Sequence, residues 1–281
     1  LTGLLENGGD PGLIVGPHVP RVQFDHVLEL IRPHNLSFEN KKVLDFGCGA
    51  HRPLSAALVF HLCGAREVTA IDLEPFFDEG SIAVGLVAQC LGVMFDRDFF
   101  DLKGAGLDYG QAMTRLGAIA LDRLLDGDIR SGLPESIRWR HCFYEELPEQ
   151  EQLFDVMVSH TVFEHVADPK TTLMNLRRNM SPDGFGIIVI DYKDHRAYAG
   201  TAPSYYQYLM DDLDHMPGYI NKIRHSAFVD IVASAGFEVL ECVRERMYPS
   251  QEERNQFLPR YASLSEDDIT TSGARILIRP I

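Results

Sequence analysis

Apolar residues in this chain gather into short continuous runs that alternate with longer stretches at helical spacing. Phe24, Val27, Leu28 and Ile31 fall at i, i+3, i+4 and i+7 and predict an amphipathic helix stopped by Pro33. Val43-Leu44-Asp45-Phe46 reads as a buried strand ending at a carboxylate. Leu54 to Leu62 then has helical length, with Pro53 in its first turn and Gly64 as its stop. Val68 to Asp72 is a second apolar strand ending at a carboxylate. The next strand-like runs are Ile137 to Arg140, Phe154 to Ser159, Gly186 to Ile190, Glu238 to Arg246 and Ala274 to Ile278. The alternation breaks between residues 75 and 136. There Ser81 to Met94 is mostly apolar, and Met113, Leu116, Ala120 and Leu124 repeat at helical spacing, so a helical insertion is expected. A last helix is expected from Ser226, as its N-cap, to Gly236.

Between the first strand and its helix lies Gly47-Cys48-Gly49-Ala50-His51. Two glycines there permit positive φ and a close approach of backbone to a ligand. Strand, glycine loop and helix together are the usual start of a nucleotide-type site in an open α/β sheet. The dinucleotide fingerprint wants a third glycine where this chain has Arg52, which disfavours NAD and FAD. Asp72, at the end of the second strand, is placed to accept hydrogen bonds from ribose hydroxyls. Asp45 can cap the turn, bind the ligand, or do both.

Length and charge narrow the partners. With 281 residues, 45% of them hydrophobic, the chain can build one large domain with insertions. A net charge of −15 and the lack of any Lys/Arg run argue against nucleic acid, whose binding needs phosphates neutralised. No apolar run reaches the length of a membrane span. Five scattered cysteines without a Cys-x-x-Cys pair fit reduced thiols in a cytoplasm. The start at Leu1 without methionine reads as a trimmed end, and residues 1–20, rich in Gly and Pro, as an arm; the first ten lack the features of a signal peptide. The acidic run Asp96 to Tyr109 lacks the ligand spacing of a calcium loop and is expected to be solvated.

The chain resembles the class I S-adenosylmethionine-dependent methyltransferases, through VLDFGCG as a first motif, VTAIDLEP as a second, FDVMVSHTVFEHVADP as a fourth and SPDGFGIIVI as the fifth strand. The resemblance covers roughly residues 40–190. It departs from the family at His51, where many members have a third glycine, and at Phe143-Tyr144, where an Asp-Ala pair is common. It implies an α/β fold, a doubly wound Rossmann-like sheet of seven strands with an antiparallel last strand. To that sheet are added an N-terminal arm and cap helix (1–40), the helical insertion after strand two (75–136), and a lid before strand six (192–225). It also implies S-adenosyl-L-methionine as cofactor and S-adenosyl-L-homocysteine as product. The implied cofactor contacts are Asp45, Gly47, Cys48, Gly49, His51, Asp72, Leu73, Phe143, Tyr144 and His160. Phe143 and Tyr144 are equally open to an ordinary place in the aromatic core. The N-terminal helix either covers the cofactor or packs on the sheet edge. Glu164 and His165 take a structural role by the same resemblance.

Methyl transfer to a hydroxyl or amine calls for a base with a pKa near neutral, which histidine supplies. His160 and His195, at the ends of adjacent strands, are the candidates, His195 slightly preferred. The interval before the last helix holds Tyr192, Tyr205, Tyr206 and Arg224. These are expected to contact a small-molecule substrate, Arg224 suiting a carboxylate or phosphate. The alternative packs the tyrosines on the insertion. No His/Cys/carboxylate group shows ligand spacing, so no metal is expected; Asp191, Asp194 and His195 are the residues that could converge with His160 on an ion. Methylation of a protein side chain, and a non-catalytic cofactor-binding partner subunit, are the competing functions. The oligomeric state stays open, a homodimer included.

Overall fold

The computed structural model describes residues 18–49, 54–75, 78–147, 149–211, 220–261 and 263–281. Seven strands form one sheet: β1 Lys42–Phe46, β2 Glu67–Asp72, β3 Ile137–His141, β4 Phe154–His160, β5 Met180–Asp191, β6 Phe237–Arg246 and β7 Thr271–Pro280. Their order is β3-β2-β1-β4-β5-β7-β6. The β1–β2, β1–β4 and β2–β3 pairs are parallel, and β6–β7 is antiparallel. The doubly wound sheet that the resemblance implies is therefore present, with strands extending past the apolar runs read in sequence. Residues up to 160 with 179–186 make one compact unit, and 161–178 with 187–281 make another, so β5 begins in the first and ends in the second.

In the first unit, β1 buries Val43, Leu44 and Asp45 between strands on both sides. Helix α1 (His18–Ile31) buries Phe24, Val27, Leu28 and Ile31, the predicted stripe, and gives way to a 3-10 turn, Arg32–His34, that contains Pro33. Helix α2 (Ser55–Leu62) is buried almost all round, as its mostly apolar sequence requires, and Gly64 follows at φ +96°. A Cβ at Gly64 would stand 3.2 Å from the Glu39 backbone.

The insertion is helical but not as spaced in sequence. Helix α3 runs Glu79–Phe95, capped by Asp78, whose carboxylate accepts from the Gly80 and Ser81 amides. Met113 to Leu124 is two helices, α4 (Tyr109–Leu116) and α5 (Leu121–Leu125), because the chain turns after Gly117, a weak helix former, and the Ala120 amide bonds the Gly132 carbonyl. In the acidic run Asp96, Asp98, Asp101 and Asp108 are exposed, as expected, while the apolar residues between them are not. Phe99, Phe100 and Leu102 are buried, Phe100 packs edge-on against Phe24, and Asp101 pairs with Arg32.

In the second unit, helix α6 (Pro169–Asn179) contributes residues 169–178 and precedes β5, and helix α7 (His225–Ser234) precedes β6. Ser226 is not the N-cap of α7: Arg224 holds that position. Ser226 lies inside the first turn, where its amide and hydroxyl both donate to Asp268, at 2.8 and 2.7 Å. A carboxylate from the segment before β7 thus does the capping that the sequence suggested a local hydroxyl would do.

Candidate functional site

The glycine loop of the first unit is built as its residues require. Gly47 and Gly49 have φ +75° and +81°, values that carry a steric penalty for any side chain with a Cβ. The Gly47 and Cys48 amides both donate to the Ile71 carbonyl at 3.0 Å, which folds the loop over the end of β2. The Gly49 amide donates to Asp72 Oδ2 at 2.6 Å, and the Glu74 amide to Asp72 Oδ1 at 2.9 Å. Each Asp72 oxygen retains a further lone pair for a ligand hydroxyl. Where a Gly49 Cβ would stand there is open space.

Asp45 lies beneath this loop, 4% exposed, and its Oδ2 has no hydrogen-bond partner. Burial, with the charge of Asp72 adding to it, pushes its pKa up to about 7. A buried carboxylate with an idle oxygen beside a second carboxylate favours a ligand that brings positive charge and N–H donors. Cys48 is half-buried, and burial together with the Asp45 and Asp72 charges keeps its thiol protonated. Leu73 is exposed, its carbonyl accepting from the His141 ring at 2.8 Å. The aromatic pair divides: Phe143 is 58% exposed, while Tyr144 is buried edge-on against Phe154. The core reading holds for the Tyr144 ring, and the Phe143 face is the one accessible for stacking. His51 lies outside the described residues.

His160 ends β4, two residues past Val158, which pairs with Asp45. Its Nε2 is 3.3 Å from His26 Nδ1, and the two rings stack nearly parallel, 5.6 Å between centres. His26, on α1, was not singled out in sequence, since its partner is 134 residues away. The helical stripe read from α1 explained only its apolar face.

The second unit holds the residues expected to meet substrate, and most of them are internal. Arg224 is 4% exposed. Its Nε and both terminal nitrogens donate to the carbonyls of Tyr192, Asp268, Ile269 and Thr271 and to the Tyr208 hydroxyl. A guanidinium has five N–H donors, so none is left for a substrate anion. The expectation that Arg224 binds substrate is corrected: it ties the start of α7 to the chain before β7. Tyr192 and Tyr206 are also corrected. Tyr192 is buried with its hydroxyl 3.3 Å from His225 Nδ1, and Tyr206 is buried with its hydroxyl on the Met247 carbonyl. Of the four, only Tyr205 reaches the surface, 37% exposed and tilted against Tyr198. Residues 212–219 of the expected lid, His215 and Tyr219 among them, fall outside the described residues.

His195 is half-buried, with Nε2 3.9 Å from Asp191 Oδ2 and its ring edge-on to His165 at 4.8 Å. Burial lowers its pKa against the raising effect of Asp191, which favours the neutral imidazole. Asp194 does not join a cation site, because it is fully buried in a bidentate pair with Arg196. Another set of ligand types does come together. One atom each of Glu164, His165 and His195 lie within 4.8 Å of one another. No ligand spacing marks this cluster in sequence, since His195 lies 30 residues beyond His165.

The model of a family described as "Methyltransferase domain" matches residues 18–242. A chain of the Haloferax volcanii complex between the Trm112 methyltransferase activator and its candidate methyltransferase is similar in fold. It has TM-score 0.50 and 14% identity, over 96% of this chain and 93% of that one. A candidate sarcosine dimethylglycine methyltransferase from Galdieria sulphuraria also has TM-score 0.50, with 13% identity over 92% and 85%. No match was found among the curated proteins. Among the described residues, no helix is long and apolar enough to cross a membrane.

Proposed function

The chain belongs to the methyltransferase-domain family, with S-adenosyl-L-methionine as its methyl donor, and from that premise we propose that it methylates an oxygen or nitrogen of a small molecule. The observation that carries this reading is the pair of carboxylates around the glycine loop. Asp72 has lone pairs for two ribose hydroxyls, and the idle oxygen of buried Asp45 suits an ammonium. Gly47 and Gly49 leave the loop backbone open to close approach, and the exposed Phe143 ring offers a face to an adenine. When bound, the cofactor supplies an electrophilic methyl on a positively charged sulfur. This chain's part is to hold the reactants in line and to remove a proton.

The base we assign is His160. It stands at the end of the strand beside β1, in the same unit as the glycine loop, and its Nε2 faces His26 Nδ1. A proton taken at His160 Nδ1 lets the Nε2 proton pass to His26 Nδ1, so the two rings act as one acceptor. His195, the other candidate, has a different assignment argued below. A small acceptor accords with the net charge of −15, which repels polyanions, and the free cysteines accord with a cytoplasmic setting. The test is incubation with radiolabelled S-adenosylmethionine and fractionated cell extract. Label is expected in small metabolites; label in protein would point to side-chain methylation, and no label to a cofactor-binding subunit without turnover.

A further inference from the structure

The second unit contains an arrangement that the methyl-transfer reading does not use. We propose that Glu164, His165 and His195 bind a divalent first-row transition-metal ion of the zinc type. Three facts carry it. The three ligand atoms lie within 4.8 Å of one another, so movements of less than an ångström bring them onto a shared centre at the usual distance of about 2.0–2.2 Å. Glu164 is 1% exposed and neither of its carboxylate oxygens has a hydrogen-bond partner. A carboxylate held dry and unpaired is strongly disfavoured, and a cation shared with two imidazoles removes that penalty. The nearest ammonium does not serve instead, since Lys193 Nζ is directed to Asp191 at 3.2 Å and Glu245 at 3.9 Å.

The site is also held in shape from behind. Glu164 and His165 lie in the 3-10 turn Phe163–His165. The Asn221 side chain donates to the carbonyls of Phe163 and Val166 at 2.7 and 2.9 Å, and the Asn221 amide donates to that of Glu164 at 2.8 Å. The chain enters this turn through Thr161 at φ +56°, unusual for a β-branched residue and a mark of an imposed geometry. Asp191 stands 3.9 Å from His195 Nε2 and accepts from the Tyr198 hydroxyl at 2.7 Å, which puts a held negative charge beside the ring. Two imidazoles and one carboxylate suit zinc, cobalt or manganese better than magnesium or calcium, which prefer oxygen alone. Three protein ligands leave an open position at which an oxygen-bearing ligand is polarised.

The test uses the full chain stripped with EDTA and titrated with Zn²⁺ by calorimetry and with Co²⁺ by visible absorption, without any methyl donor. The expected result is one equivalent bound, with cobalt d–d bands, and affinity reduced at least about tenfold in His165→Ala and in His195→Ala. His34→Ala, on the first unit, should bind as wild type does. His165 is exposed, so its loss leaves the fold in place and that variant stays informative. No binding by the wild type, or affinity unchanged in His165→Ala, overturns the assignment.

Discussion

The Gly49 amide donates to Asp72 Oδ2 at 2.6 Å, so the loop after β1 is held by the acid that ends β2. This one contact explains why the two motifs belong together. Gly49 donates its N–H to the carboxylate and turns the chain at φ +81°, and the carboxylate keeps a lone pair on each oxygen for whatever the loop receives. Pinning by both the Gly49 and Glu74 amides means that little remains to be ordered when a ligand arrives.

Asp45 should make the stability of the free protein depend on pH. Its carboxyl has a pKa of about 7 in the fold against an ordinary 3.8, so between those values the native state binds more protons than the unfolded one. As far as this group is concerned, stability is therefore highest at and below about pH 4, falls as pH rises towards 7, and levels off above. The total is on the order of a few kcal/mol. Urea unfolding at pH 4.5, 6 and 7.5 should show Asp45→Asn losing this slope; an identical slope in the variant removes Asp45 as its source.

Arg224→Met should unfold the protein more readily without harming the binding of any acceptor. Five donors vanish and a set of buried carbonyls loses its partners, a loss on the order of 3–5 kcal/mol. The melting temperature should drop by several degrees, with KM for a known acceptor unaltered in the folded fraction. A fully stable variant with a raised KM would restore Arg224 to the substrate.

His160→Ala should lower kcat by about 10²–10⁴-fold. His26→Ala should keep part of the rate, because the base stays while its contact is lost. Wild-type kcat in His160→Ala, at a pH where the acceptor is protonated, would show that this histidine is not the base.

Asn221→Ala should destabilise the second unit by about 1–3 kcal/mol, since the Phe163 and Val166 carbonyls lose the amide that gathers them. Hydrogen exchange would report faster opening of residues 161–166. Exchange there at the wild-type rate would mean that the turn is held by other contacts.

The sheet and the glycine loop were legible because their signals are local: strand-end acids, glycines and apolar runs a few residues long. What escaped was whatever depends on distant partners. A tyrosine-rich interval reads as a binding surface, yet Tyr192 and Tyr206 are core because their hydroxyls find His225 and a Met247 carbonyl. Arg224 reads as an anion receptor until the carbonyls near 268–271 surround it. The same gap hid His26, and it hid the meeting of His195 with Glu164 and His165, for which no spacing rule spans 30 residues. The break after Gly117 does have a local signal: a glycine inside a helical repeat marks the place where the repeat stops.

The most direct test of the account is calorimetric titration of the wild-type chain and of Asp72→Ala with S-adenosylmethionine and S-adenosylhomocysteine. One site is expected in the wild type and a loss of about 1–3 kcal/mol in the variant, as ribose hydroxyls and the Gly49 amide lose their acceptor. Equal affinity in a folded Asp72→Ala, or no binding by the wild type, would contradict it.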